Sequence, residues 1–91
     1  MTLTLEHEKT LLGAVESFLA SVVHVRPYKA STWRATLDAM AETWLAERGA
    51  NRIGALQASW LENFIDAQSD PEQAEAAIHE LFSWAQREAL I

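Results

Sequence analysis

Apolar residues recur at three and four positions through most of this chain, and each such run predicts a helix. Leu12, Val15, Leu19 and Val22, with Leu11 and Phe18 beside them, mark a first helix over about 4–23. The segment "HVRPY" ends it, because Pro27 lacks an amide hydrogen and pushes Arg26 away from helical geometry. A second helix is expected to start within 29–32 and to run over about 30–48, with Trp33, Leu37, Met40 and Trp44 as its buried stripe. Ala41 and Leu45 widen that stripe, and Gly49 is the expected C-terminal cap.

After the loop "ANRIG", a shorter helix is expected over about 57–67, with Leu61, Phe64 and Ile65 inward. The fourth helix, about 71–88, has the clearest start. Asp70 stands as N-cap, Pro71 at the first helical position, and Gln73 where it closes a capping box. Its stripe is Ala74, Ala77, Ile78, Leu81, Phe82 and Ala85. No alternating run points to a strand. Four helices with short connections predict one compact all-α domain over 1–91.

Composition agrees with a globular chain. Of the 91 residues, 49% are apolar, which is ordinary for a folded domain of this size. There is no cysteine, so disulfides and thiolate zinc sites are excluded. The opening "MTLTLEHEKT" does not read as a targeting peptide, and no apolar run approaches the ~20 residues that span a bilayer. The expectation is a cytoplasmic protein with no membrane partner.

Charge changes the picture more. The net charge is -6, and residues 55–91 carry all of it, with Arg87 alone against seven acids. Residues 24–34 run the other way, holding His24, Arg26, Lys29 and Arg34 with no acid.

Catalytic chemistry has little to rest on. His7, His24 and His79 lie far apart, and "HEKTL" fails the HExxH pattern at Leu11. Gly13, Gly49 and Gly54 are isolated, so there is no phosphate loop. The many carboxylates read as a solvated helix face. No metal or cofactor is expected, and no catalytic residue is assigned.

Several short motifs fall in a known order. Phe18-Leu19 form an apolar pair in the first helix, and "KASTWRATLDAM" opens the second on small hydroxyl residues. Leu56 precedes the third helix and Phe64-Ile65 stand near its end, and the chain closes on "LFSWAQREALI". This order resembles the N-terminal core-binding domain of the tyrosine recombinases, the phage integrase family, over about residues 10–91. Lys29 replaces a family serine, Thr32 stands on the family threonine, Thr36 replaces an aromatic, and Ala89 replaces a glycine.

The resemblance implies a SAM-like four-helix domain that clamps double-stranded DNA for a separate catalytic domain. It also implies that domain and other recombinase protomers as partners, and no DNA cleavage by this chain alone. Family DNA contacts come from the second and fourth helices, largely onto phosphates. The positions carried over are Lys29, Ser31, Thr32 and Arg34 at the start of the second helix, with Gln73 on the fourth. The unpaired amides of a helix start favour an anion, and the two cations and two hydroxyls would add to that.

The plainer reading is that Ser31 or Thr32 caps the helix while Lys29 and Arg34 are solvated. On the fourth helix Gln73, Ala74 and His79 stand where the family carries arginines, among Glu72, Glu75 and Glu80. An acidic helical module that binds protein, not DNA, is therefore the competing expectation. Trp33, Trp44 and Phe82 are expected in the core. Trp60 and Trp84 are expected either to pack at helix ends or to face a partner.

Overall fold

The computed structural model describes residues 10–90. Four helices account for most of them: α1 (Leu11–Val25), α2 (Pro27–Arg48), α3 (Ala58–Asp66) and α4 (Pro71–Arg87). A single 3₁₀ turn, Ile53–Ala55, lies in the α2–α3 connection. Among the described residues there is no strand, and the all-α expectation holds. The part of the first expected helix over 4–9 lies outside the described residues.

Local chemistry explains most helix ends. Thr10 caps α1 by accepting the Gly13 amide on its hydroxyl, and the Leu11 amide donates to the Asn51 side chain at 3.1 Å, which ties the α2–α3 loop to this end. Gly49 closes α2 at φ 71, a left-handed conformation that glycine adopts without Cβ strain. Asp70 accepts the Gln73 amide at 3.2 Å and Pro71 follows it, as expected for α4. At the other end of α4 the Ala89 amide bonds the Gln86 carbonyl and the Leu90 amide bonds the Ala85 carbonyl, with Ala89 at φ 58. That pair of bonds is a Schellman motif, and it turns Leu90 back into the core.

The start of α2 differs from expectation. It lies at Pro27, and the break between α1 and α2 is confined to Arg26. Proline fixes φ near helical values and needs no partner for a missing amide hydrogen, so it fits a first helical position as well as it ends the preceding helix. α1 likewise runs on to Val25, two residues past the expected end.

The core is built from α1, α2 and α4, with α3 packed against α4. The expected stripe of α2 is buried in full, from Trp33 through Leu37, Met40 and Ala41 to Trp44. The stripe of α4 is buried as well, with Phe82 half-buried at its edge. In α1 the stripe runs through Leu11, Val15, Phe18 and Leu19, while Leu12 turns outward at 44% exposure. Leu19, seven positions on and nearly in line with Leu12, is buried, so the helical face alone does not account for the exposure of Leu12.

The tryptophans divide the core into two ends. Trp33 stacks on Phe18 with ring centroids 6.0 Å apart, and Trp84 meets Phe18 edge-on. At the far end Trp60 stacks on Phe64 and meets Trp44 edge-on at 5.1 Å. Trp60 is buried and donates its indole hydrogen to Glu47, so it packs inside this chain. Trp84 is half-buried and keeps one side open.

Candidate nucleic-acid interface

The expected contact residues all lie near the corner where α1 turns into α2. Pro27 sets the direction of α2, and Tyr28 follows with 88% of its surface exposed. Lys29 lays its ammonium over the Trp33 ring, 5.5 Å from the centroid, which holds a charged head beside an aromatic floor. Thr32 donates its hydroxyl to the Tyr28 carbonyl one turn back, at 2.9 Å.

The early start of α2 moves the helix N-terminus away from Ser31 and Thr32. Ser31 and Thr32 sit inside the helix, where their amides belong to the backbone ladder, and neither side chain caps it. The amides left over at this end are those of Tyr28 and Lys29, because α2 has no side-chain cap at Arg26.

Geometry also separates the five residues into two groups. Lys29, Thr32 and Gln73 line one shallow hollow of about 270 Å³ with Tyr28 and Trp33. The start of α2 and the start of α4 meet there. Ser31 and Arg34 line a different hollow, on the α1 side of α2, with Glu16 and Val23.

Arg34 is engaged within the chain. Its two terminal nitrogens reach the two Glu16 oxygens at 2.8 and 3.4 Å, and Asp38 lies 3.9 Å away. The hydrogen bond from Arg34 holds the Glu16 carboxyl below its ordinary pKa, against a slight opposing effect of burial. The same bond, with the charge of Glu16, raises the Arg34 guanidinium. An arginine facing two carboxylates offers little net charge to a phosphate.

Acids also border the first group. A neighbouring hollow of about 520 Å³ is lined by Arg26 and Lys29 on one side and by Glu72, Glu75 and Glu80 on the other, over Trp33. Two residues of this corner escaped the reading of the sequence as contacts. Tyr28 follows Pro27 in the first turn of α2 and is exposed, which no motif in the sequence signals. Arg26, the one non-helical residue of the corner, lines the larger hollow with Lys29 and the acids.

Among the described residues no helix is long and apolar enough to cross a membrane. Among the same residues, no group of three or more His, Asp or Glu is placed to hold a metal ion. No family model matches the chain, and no match is found among curated proteins or solved structures.

Proposed function

We propose that this chain is a duplex-DNA-contacting domain of the SAM-like core-binding type, which positions DNA for a separate tyrosine-recombinase catalytic domain. The observation that carries the reading is the meeting of the α2 start and the α4 start on one hollow, with Lys29, Thr32 and Gln73 around exposed Tyr28. Lys29 neutralises a phosphate, Thr32 and Gln73 offer short polar contacts, and Tyr28 lies along the sugar–phosphate edge. The left-handed backbone at Ala89 adds support, because it falls where the resembling family carries a glycine. Cleavage and religation belong to the catalytic domain.

With few cations and a net charge of -6, the domain binds weakly and in a salt-dependent way. The log–log slope is about -0.9 per phosphate contact, so one or two contacts give a shallow dependence. The test is an amide chemical-shift titration with a short duplex at low salt. Shifts are expected at 28–33 and at Gln73, and Lys29→Glu removes them. Arg34→Glu leaves them nearly unchanged, because Arg34 already faces Glu16 and Asp38. Shifts spread instead along 75–84, or binding indifferent to Lys29→Glu, overturn the reading.

The acidic interaction module is the second reading, and Glu72, Glu75 and Glu80 along one hollow favour it. Under that reading the duplex gives no shifts while a short oligolysine peptide shifts 72–80.

A further inference from the structure

Two hollows adjoin on the face formed by α4 and the α1–α2 corner, and they share Arg26, Trp33 and Glu80. Their rims carry three cations, Arg26, Lys29 and Arg87, and three carboxylates, Glu72, Glu75 and Glu80. Among the described residues, none of these six forms an ion pair within the chain; the ion pairs present are those of Arg34 with Glu16 and Asp38. Trp33 and half-buried Trp84 lie in the lining, and Val25 stands at the rim with 76% of its surface exposed. Such a face is balanced in charge, with Arg26 and Lys29 across one hollow from the three acids and Arg87 apart at the end of α4.

A partner of one charge sign would satisfy only half of this face. The surface that satisfies both halves is the same surface turned by a two-fold axis, where each group meets its opposite twice. We infer that two copies of this chain associate face to face through α4 and the α1–α2 corner, about a two-fold axis near His79.

The register follows from the helix. Exposed Glu72, Glu75, Ala76 and His79 recur at three and four and form one stripe, and the small Ala76 admits a close approach. When two α4 helices lie antiparallel on this stripe, Glu72 of each copy opposes Arg87 of the other. Those residues are separated by roughly 22 Å along one helix, so the two ion pairs close opposite ends of the contact. Arg26 borders both hollows and faces Glu80 of the other copy near the axis. The acids that stand beside the candidate DNA contacts thereby gain a role. The inference does not rest on DNA binding, but Lys29 lies both on this face and at the candidate DNA hollow, so a duplex and a second copy would compete.

Sedimentation equilibrium of the whole chain without DNA tests this. A dimer is expected at low salt, weakening steeply as ionic strength rises toward about 1 M. The double variants Lys29→Glu with Arg87→Glu and Glu72→Lys with Glu75→Lys should each be monomeric, with wild-type helix content by circular dichroism. Mixed in equal amounts they should form a one-to-one dimer, since each then supplies what the other lacks. The chain has no cysteine, so His79→Cys provides an independent readout. Near a two-fold axis it should oxidise to a cross-linked dimer, while Ala46→Cys on exposed α2 should not. A wild type that stays monomeric up to about 1 mM overturns the inference. So does a mixture of the two charge variants that remains monomeric, or His79→Cys cross-linking no faster than Ala46→Cys.

Discussion

α2 and α4 begin in nearly the same way and are held in opposite ways. Both start on a proline, Pro27 and Pro71, after a residue of almost equal backbone geometry: φ -139, ψ 74 at Arg26 and φ -128, ψ 84 at Asp70. At α4 the Asp70 carboxylate accepts the Gln73 amide. At α2 the long Arg26 side chain has no acceptor and makes no cap. The start of α2 is fixed instead by packing, since Ala30 and Trp33 are buried within its first two turns while the residues before them are exposed. Local hydrogen bonding anchors one helix, and tertiary burial anchors the other. The second arrangement leaves backbone donors and Lys29 open to solvent, which is what a contact surface needs.

The largest effect should come from removing the packing anchor. Trp33→Ala deletes a ring that is 5% exposed and stacked on Phe18, with Lys29 above it. A cost of roughly 3–5 kcal/mol is expected, a large share of what a domain this small can hold. Chemical denaturation measures it. A midpoint within error of wild type would mean that the α2 start does not depend on Trp33, and the contrast with α4 would fail.

A residue swap at the two junctions gives a middle-sized effect of opposite signs. Asp70→Ala should cost about 1 kcal/mol, because the Gln73 amide loses its acceptor. Arg26→Asp should gain about 1 kcal/mol, since the same backbone geometry points a carboxylate at the Lys29 amide, and the negative charge suits a helix start. The same change should weaken any DNA contact by covering that amide. Thermal melts of the two single variants and their combination check this. Destabilisation by Arg26→Asp would show that the two junctions are not equivalent after all.

The swap also marks what could be read from the sequence. Asp70-Pro71 with Gln73, and Gly49 after Arg48, are signals in which a residue and its partner lie within a turn of each other, and both were legible. The stripes of α2 and α4 were legible for the same reason. The Ser31-Thr32 pair misled, because a hydroxyl signals a cap only if the helix starts there, and Pro27 starts it earlier. Counting charges in 24–34 misled in a different way: the stretch holds no acid, yet Glu16 reaches Arg34 from the neighbouring helix. Trp60 looked ambiguous because its burial depends on Trp44 and Glu47, thirteen or more positions away. Contacts between helices decide which of the candidate site residues remain available, and periodicity along one helix does not report them.

The smallest effect concerns that Glu16–Arg34 pair, which lies between α1 and α2 just past the uncapped start. Arg34 holds the Glu16 pKa below its ordinary value, first through the hydrogen bond, opposed by slight burial, and then through its charge. A carboxyl with a lowered folded pKa adds stability that is present above its unfolded pKa and lost as pH falls through the folded value. The side chains are about half exposed, at 49% and 58%, so solvent screens the pair and its worth is small. Glu16→Gln should therefore be slightly less stable than wild type at neutral pH. The two should converge in acid, where Glu16 is protonated in both folded and unfolded chains, and also in high salt. Parallel denaturation curves at neutral and acid pH provide the measurement. An equal gap at both would assign the effect of Glu16 to packing along α1, and Arg34 would then be free to join Lys29 at the proposed DNA contact.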